Sequence, residues 1–285
     1  MIIGDNREAV IENIKVAAEN GDFHSKVEIN DPNLTPEQSK AILDRYVQNR
    51  RKASFKAKTL LARQAANLLT FALNRNSEIT GIENALGIKG GAIVTSNHFS
   101  PVENTAVRLV VKKLGKKRIN IVSQETNLAM PGAIGFLMNY ADIIPIAEDK
   151  NYLKNNFPEI IKSLIQKNEY VLIYPEQEMW FNYRKPRPFK RGAYYYAAKL
   201  GVPVISIFVE MQDLNEKDTD EFNKVKFKIH ILKTLYPDPE KSVKENSVSM
   251  CEEDYAQKKA AYEKAYGKPL DYTFQNSDIA GWVKK

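Results

Sequence analysis

One stretch of the sequence decides how the chain folds: Thr95-Ser96-Asn97-His98-Phe99-Ser100-Pro101-Val102-Glu103-Asn104. The segment before it, Gly90–Thr95, is apolar and rich in β-branched residues, which is typical of a buried strand. The segment after it, Thr105–Val111, has the pattern of a helix. We therefore expect His98 at the carboxyl end of a strand, the edge at which open α/β sheets place their ligand sites.

His98 has an acidic residue at a useful spacing. Pro101 suits the first helical turn, where its missing N–H costs nothing, and Glu103 then lies about one turn into the helix. From there its carboxylate can hold one ring nitrogen of His98 as N–H, which leaves the other nitrogen free as a base. Without further motifs, a structural role would be the better interpretation of His98: it would only precede the helix, with Ser100 as the N-cap.

The composition indicates a folded globular protein with excess positive charge. The chain has 285 residues, 43% of them hydrophobic, and a net charge of +7, which suggests an anionic partner. Its single cysteine, Cys251, excludes an intramolecular disulfide and a cysteine metal cluster. Met1–Asn6 lacks the features of a signal peptide, and no stretch has the apolar length of a membrane-spanning helix. We expect a cytoplasmic protein, peripheral on the inner face of the membrane.

Residues 1–76 are predicted to form a basic helical segment. An irregular or helical lead-in is followed by a helix start in which Thr35 is the N-cap, Pro36 is the first helical residue and Gln38 completes a capping box. The helix is expected to continue with one break near residues 53–54. Its cations are Arg45, Arg50, Arg51, Lys52, Lys56, Lys58, Arg63 and Arg75. With a broad apolar face, they fit either a helix that lies on an anionic membrane or one packed on the domain.

Strands and helices alternate after residue 77. The predicted strands are the apolar segments 91–96, 118–123, 142–146, 170–174 and 202–210. This order predicts an α/β fold with a central mixed, mostly parallel sheet flanked by helices. We place the core at 77–235, and a C-terminal helix and tail that pack on it at 236–285. Smaller expectations are a surface loop at 213–222, a late edge strand at 224–231 and a helix at 249–266.

Two further segments are expected at the same edge of the sheet as His98. Tyr174-Pro175-Glu176 ends an apolar strand, which brings Glu176 to that edge. The second segment starts with the basic run at 187–191, continues with Gly192 at a helix start, and ends in Gly201-Val202-Pro203 before a strand. Each signal alone is weak, because such turns are common in α/β proteins.

In this order and at this spacing, the segments resemble the lysophospholipid acyltransferase family, which includes 1-acylglycerol-3-phosphate acyltransferases. The family's first block, Asn-His followed by Ser-Pro and an acidic residue, is matched by Asn97–Glu103, with Glu103 in place of the usual Asp. Tyr174-Pro175-Glu176 matches the start of the third block, and Phe189–Ile205 matches the fourth. The resemblance spans about residues 77–232.

The chain departs from the family where that family is thought to bind the acceptor's phosphate. The third block's Gly-Thr-Arg-Ser is replaced by Gln177-Glu178-Met179-Trp180, and the second block's Arg by Ala147-Glu148-Asp149. Met and Glu cannot replace a bidentate guanidinium. Either the acceptor is neutral, such as a glycolipid sugar, or a displaced basic cluster binds its phosphate, which we favour. That cluster is Arg184, Lys185, Arg187, Lys190 and Arg191.

The resemblance implies direct acyl transfer without a metal or a bound cofactor. His98 would remove the proton of an acceptor hydroxyl as that oxygen attacks the carbonyl of acyl-CoA or acyl carrier protein, and Glu103 would orient His98. The acceptor would be a lysophospholipid-like molecule or a glycolipid, met at an anionic membrane surface. The remaining substrate-binding residues would be Asn97, Ser100, Pro101, Glu176, Gly192 and the displaced cations.

Three other functions are weighed against acyl transfer. A lipid hydrolase would need Ser96 or Ser100 as nucleophile, but the chain has no Gly-x-Ser-x-Gly elbow and Ser100 is too close to His98 for easy triad geometry. A non-catalytic lipid- or anion-binding relative would fit the altered third block, although His98, Glu103 and Glu176 together argue against it. Nucleic-acid binding rests on charge alone, because no recognised module is present, and we expect no nucleic-acid partner.

Overall fold

The computed structural model describes residues 6–29 and 31–283, and its centre is a seven-stranded sheet. The strands are β1 (Glu78–Thr80), β2 (Ala92–Thr95), β3 (Ile119–Gln124), β4 (Ile143–Ile146), β5 (Tyr170–Leu172), β6 (Val204–Lys217) and β7 (Asn223–Ile231). Their order is β1-β7-β6-β2-β5-β3-β4. Only β6 and β7 pair antiparallel. The predicted mixed, mostly parallel sheet is therefore confirmed.

Helices cover both faces of the sheet. They are α1 (Arg7–Glu19), α2 (Pro36–Asn49), α3 (Ala53–Leu73), α4 (Asn104–Lys113), α5 (Gly132–Tyr140), α6 (Phe157–Ile165), α7 (Gly192–Leu200) and α8 (Val243–Tyr266). Successive side chains of β2 point to opposite faces, as a strand requires. Val94 packs with Val107 of α4 in one apolar cluster, and Ile93 packs with Ile161 of α6 and Ala197 of α7 in another.

The predicted start of α2 is confirmed, because both hydrogen bonds of the capping box are present. The N–H of Gln38 donates to the hydroxyl of Thr35 at 3.3 Å, and the N–H of Thr35 donates to the Gln38 side chain at 2.9 Å. The predicted break is confirmed as well, because α2 ends at Asn49 and α3 begins at Ala53. A capping box of the same kind starts α8, with Ser242 and Glu245 as its members, so this helix begins six residues before the predicted position.

Two predictions about the late strands are wrong. β7 is not an edge strand, because β1 pairs with its outer side, with Glu78 opposite Lys228. The polar residues after position 213 are not simply a loop, since β6 continues to Lys217 and forms a ribbon with β7. The outer part of this ribbon is largely exposed to solvent. It therefore lacks the alternation of apolar and polar residues that marks a half-buried strand.

The lead-in before α2 forms α1 and an irregular segment of turns and coil, residues 20–29. The apolar face of α1 packs in a third cluster with Trp180 from the altered third block, with Phe181 next to it and with Ile279 from the C-terminal tail. The predicted domain 1–76 thus contains helices that pack on different parts of the protein. Its first residues, Met1–Asp5, on which the expected lack of a signal peptide rests, lie outside the described residues.

α3 is about 30 Å long and leaves much of its apolar surface uncovered. Leu60, Leu61, Leu68 and Phe71 are between 53% and 73% exposed. The end of the helix is fixed by the Asn74 side chain, which donates to the hydroxyl of Thr105 at 2.9 Å. In the described parts of the chain, no helix is both long enough and apolar enough to span a bilayer.

Candidate active site

His98 and Glu103 form the dyad that their spacing predicts. Nδ1 of His98 lies 2.8 Å from one carboxylate oxygen of Glu103, and the other oxygen accepts the N–H of Ser100 at 2.7 Å. An ionised carboxylate can only accept, so the proton sits on Nδ1 and leaves Nε2 as the basic nitrogen. The local structure differs from the prediction in one respect. Pro101 lies in a turn that precedes α4, and the helix begins only at Asn104.

The ring of His98 is also held on one face. Tyr174, at the carboxyl end of β5, stacks on the imidazole with ring centroids 4.0 Å apart and planes 9° from parallel. Burial and the nearby Glu103 carboxylate raise the pKa of the Tyr174 hydroxyl, so the phenol stays neutral. A neutral aromatic face stabilises a cation placed over it. Tyr174 therefore fixes the plane of the His98 ring, and its face would stabilise a protonated imidazole.

Glu176 lies where the sequence places it, beside His98. One of its carboxylate oxygens accepts the backbone N–H of His98 at 3.2 Å and a guanidinium N–H of Arg187 at 3.0 Å. The same guanidinium donates to the carbonyl of Phe23 at 2.9 Å and lies over the ring of Trp180. The side chain of Arg187 is 1% exposed. Arg187, which the sequence assigned to the acceptor, therefore uses these donors inside the protein, where they hold the segment 96–103, which we call the catalytic loop.

Two other predicted cations are engaged away from solvent. The guanidinium of Arg184 pairs with Asp213 at 2.6 Å and donates to the carbonyl of Ser277 at 3.1 Å. The ammonium of Lys185 pairs with Asp278 at 2.7 Å. These contacts tie the segment after the third block to the end of β6 and to the C-terminal tail. They therefore engage, within the protein, two of the charges that the sequence assigned to a phosphate.

Lys190, Arg191 and Gly192 keep their predicted place at the start of α7, next to the third block. The N–H of Lys190 donates to the carbonyl of Pro175 at 2.8 Å, which brings this turn against the residue before Glu176. All three residues are exposed. Among the described residues, no carboxylate forms an ion pair with Lys190 or Arg191. These two cations are therefore free to meet an anionic substrate.

His24 is a neighbour of the site that the sequence did not reveal. Its Nδ1 lies 3.4 Å from the carbonyl oxygen of Glu176, and it reaches this position from a turn in the irregular segment after α1. Burial lowers its pKa, and the positive charges of Lys190 and Arg187 lower it further. His24 is thus neutral near pH 7. The only sequence signal was its rarity, since the chain contains three histidines.

The residues of the altered third block make contacts within the protein. The N–H of Trp180 donates to the carbonyl of His98 at 3.1 Å, and its indole N–H donates to the carbonyl of Ser25 at 3.0 Å. The carboxylate of Glu178 accepts the side-chain amide of Gln124 at 2.5 Å. The residues that replace Gly-Thr-Arg-Ser therefore join the catalytic loop to the N-terminal lead-in.

The other predicted site residues are held by the protein itself. The side chain of Asn97 makes two hydrogen bonds with the backbone of Val209, at 2.9 and 3.1 Å, so it anchors the loop to β6. Ser96 and Ser100 are buried, and in the part of the chain that the structure describes, neither hydroxyl is hydrogen bonded to His98. The serine-hydrolase alternative therefore has no nucleophile in place.

A buried ion pair lies beneath the catalytic loop. The hydroxyl of Thr95, the last residue of β2, donates to Asp254 at 2.6 Å, and Lys258 donates to Thr95 and to Asp254 at 2.8 Å each. Tyr194 of α7 also donates to Asp254, at 2.6 Å. All the charge is satisfied, as a buried pair requires. Through this group α7 and α8 fix the strand that carries His98.

Comparisons with known proteins bear on the family and the fold. Residues 76–210 match the family model described as Acyltransferase. The chain carries an acyltransferase-family domain. Its fold is similar to the crystal structure of the 1-acyl-sn-glycerophosphate (LPA) acyltransferase PlsC from Thermotoga maritima, with a TM-score of 0.52 and 15% identity over 92% of this chain and 97% of that chain. No curated protein sequence matches the chain. The predicted family and α/β fold are thus confirmed.

The acyltransferase-family domain contains the dyad, Glu176 and the start of α7, so the matched region holds the whole candidate site except His24. That histidine and the partners of Trp180 come from the lead-in before the domain. In the described residues, no group of three or more His, Cys, Asp or Glu side chains is arranged to hold a metal ion.

Proposed function

We propose that this protein transfers a fatty acyl group from acyl-CoA or acyl carrier protein to a hydroxyl of a lysophospholipid-like acceptor, with His98 as the general base. One observation carries the proposal: Nδ1 of His98 is held by the buried carboxylate of Glu103, while Tyr174 covers one ring face. This arrangement leaves Nε2 as the basic atom. A general base needs such an unprotonated nitrogen, held in a fixed orientation, to take a proton from a hydroxyl.

The proposed reaction is a single displacement at the acyl carbonyl. Nε2 of His98 takes the hydroxyl proton as the acceptor oxygen forms a bond to the carbonyl carbon. The C–S bond of the thioester then breaks, and the thiolate takes the proton from the imidazolium. Glu103 stabilises that imidazolium through Nδ1–H, as an acidic residue does in a hydrolase triad. Glu176 and Arg187 keep the backbone of His98 in place for this step.

We propose that the acceptor carries a phosphate, which Lys190 and Arg191 bind at the start of α7. They would replace the arginines that the second and third blocks lack, and Glu178, a negative charge that the altered third block adds, is hydrogen bonded to Gln124. A glycolipid with a neutral sugar is the alternative acceptor. Lys190→Ala combined with Arg191→Ala should raise the KM for lysophosphatidate at least about tenfold and leave the donor KM unchanged. Lys199→Ala, at the exposed end of the same helix, is the matched control.

We also propose that the protein works on the inner face of an anionic membrane, as a cytoplasmic, peripheral protein. The support is α3, whose exposed apolar residues lie among basic ones, and whose end is bonded to Thr105, two residues after Glu103. A helix of this kind can rest in the headgroup region of a bilayer. Docking along α3 would bring a lipid acceptor to the dyad.

The decisive experiment is a transfer assay with the purified chain. Labelled acyl-CoA and acyl carrier protein are tested as donors against lysophosphatidate, a neutral monoacylglycerol and a glycolipid. His98→Ala should reduce kcat at least about a hundredfold in a folded protein, with circular dichroism as the control for folding. Activity within a few-fold of wild type would refute the base. Lipid binding without transfer from any donor would instead support the non-catalytic alternative.

A further inference from the structure

A cavity of about 460 Å³ lies between the α2–α3 hairpin and the edge of the sheet. Arg118 and Asn120 line it from the start of β3, and Asp142 and Ile143 line it from the start of β4. These strands run parallel to β2, whose carboxyl end leads to His98. The cavity therefore lies at the amino ends of the parallel strands, whereas the dyad follows their carboxyl ends. The two are separated by roughly 13 Å, the length of a four-residue strand.

The cavity is cationic. Arg63 is neutralised by a bidentate pair with Asp142, with both contacts at 2.7 Å, and Arg118 pairs with Glu169. The remaining cations on its wall are Arg50, Lys56 and Lys167. Among the described residues, none of these three has a carboxylate within ion-pair distance. The wall thus has three uncompensated positive charges, and charge complementarity calls for an anionic occupant.

The rest of the wall is apolar and opens onto the exposed side of α3. Tyr46, Phe55, Tyr140 and Leu164 contribute aromatic and aliphatic surface. Leu60 lines the cavity and is also half-exposed, as one of the uncovered apolar residues of α3. An apolar surface therefore continues from the cavity to the outside of the helix. A wall with cations beside an apolar surface suits a molecule with an anionic head and an alkyl chain. A free anion would contact the cations and leave the apolar surface unused.

We propose that this cavity binds one anionic phospholipid, with its phosphate on Arg50, Lys56 and Lys167 and its chain along Leu60 and the exposed face of α3. The proposal rests on the membrane docking proposed above, but not on the acyl-transfer chemistry. α3 lines the cavity with its first half, and its far end is bonded to Thr105 beside the dyad. A lipid bound at one end of α3 would therefore fix the orientation in which the dyad meets the membrane.

The test uses soluble short-chain lipids, so that binding to the cavity is separated from binding to a surface. Dihexanoyl phosphatidic acid, dihexanoyl phosphatidylcholine and inorganic phosphate are titrated into the full chain by calorimetry. The wild type should bind the phosphatidic acid, bind inorganic phosphate at least about tenfold more weakly, and give no signal with phosphatidylcholine. Equal affinity for phosphatidic acid and inorganic phosphate would overturn the lipid assignment in favour of a simple anion site.

Two triple variants with the same loss of charge complete the test. Arg50→Gln, Lys56→Gln and Lys167→Gln should weaken binding of phosphatidic acid at least about tenfold, whereas Lys112→Gln, Lys113→Gln and Lys117→Gln, which are exposed and do not line the cavity, should leave it within about threefold of wild type. Equal losses in both variants would overturn the proposal, since only net charge would then matter.

A third variant probes the apolar wall. Leu60→Gln should weaken binding of phosphatidic acid several-fold while leaving the affinity for inorganic phosphate unchanged. Loss of both would contradict the placement of the chain along Leu60. Phosphatidic acid is also the product of the proposed transfer to lysophosphatidate. The same titration is therefore repeated on the variant with Lys190→Ala and Arg191→Ala, which should keep its affinity for phosphatidic acid if the lipid binds in the cavity; loss of binding in that variant would place the lipid at the start of α7 and overturn the proposal.

Discussion

α1 and α3 are both amphipathic helices of the N-terminal segment, but the apolar residues of α1 are buried and many of those of α3 are exposed. Ile14 of α1 is 0% exposed, packed in the cluster with Trp180, whereas Leu68 of α3 is 73% exposed. The sequence pattern alone assigns both helices to a single basic segment, residues 1–76. The two helices therefore have different roles: α1 packs beside the candidate active site, and α3 keeps an apolar surface exposed to solvent.

The cause of the difference lies in what each helix meets. α1 packs against Trp180 of the altered third block and against the next residue, Phe181, and both are fully buried there. α3 packs on α5 through a small-residue contact, in which Ala62 and Ala66 meet Ala141. Small residues let two helices approach closely, and the larger apolar residues of α3 then remain on its outer side.

The largest effect is expected where α1's segment meets the catalytic loop. Arg187→Met would leave the buried Glu176 carboxylate without its cation, and breaking such a pair by removing one partner costs about 3–5 kcal/mol. Urea denaturation should record this loss in the free energy of unfolding. Lys190→Met, an exposed neighbour, should stay within about 0.5 kcal/mol of wild type. A small effect of Arg187→Met would mean that the lead-in does not hold the site.

The next effect comes from a matched pair of truncations on the two helices. Ile14→Ala should destabilise the protein by at least about 2 kcal/mol, because it opens a cavity in a buried cluster. Leu68→Ala should change the free energy of unfolding by less than about 0.5 kcal/mol, because the side chain is largely in water. Thermal or urea unfolding of both variants measures the contrast. Similar values would remove the distinction between the helices.

The exposed face of α3 should matter for membranes instead. Leu68→Gln combined with Phe71→Gln should reduce co-sedimentation with anionic vesicles about tenfold in partition coefficient, since apolar area no longer enters the headgroup region. Leu86→Gln with Tyr236→Gln removes two exposed apolar residues elsewhere on the protein and serves as the control. Unchanged vesicle binding by the α3 variant would contradict docking along this helix.

The smallest effect is expected at the stacked ring. Tyr174→Leu should reduce kcat several-fold, because the imidazolium loses an aromatic face worth about 0.5–1 kcal/mol. Tyr174→Phe keeps the ring and should retain most of the activity. Steady-state kinetics of the two variants, with the acceptor KM as the internal reference, separate stacking from substrate binding. Equal losses would assign the effect to the hydroxyl.

The features that could be predicted from the sequence are local ones. The Thr35 capping box and the spacing of His98 and Glu103 each lie within six residues, so the chain's own geometry decides them. The roles of Arg184 and Arg187 could not be read in this way. Their partners are Asp213 and Phe23, which lie 29 and 164 residues away, and only the folded chain brings them together.

The same limit explains the late strands and the neighbour of the site. β7 became internal because β1, 150 residues earlier at the Glu78–Lys228 pair, adds to its outer side, and no pattern within β7 signals that pairing. His24 reaches Glu176 across 152 residues. Strand identity follows from local periodicity, whereas position within the sheet depends on distant partners.

The buried pair beneath the catalytic strand has a consequence for the order of events during synthesis. Thr95 is joined to Asp254 across 159 residues, and the loop after it is held by the Phe23 contact of Arg187 from the other side. During translation the dyad segment emerges long before α8. β2, which leads to His98, therefore gains its full support only after α8 has left the ribosome, so a nascent chain contains the proposed base before it has a rigid site. Contacts of such long range slow folding, which ties the onset of activity to the completion of the fold.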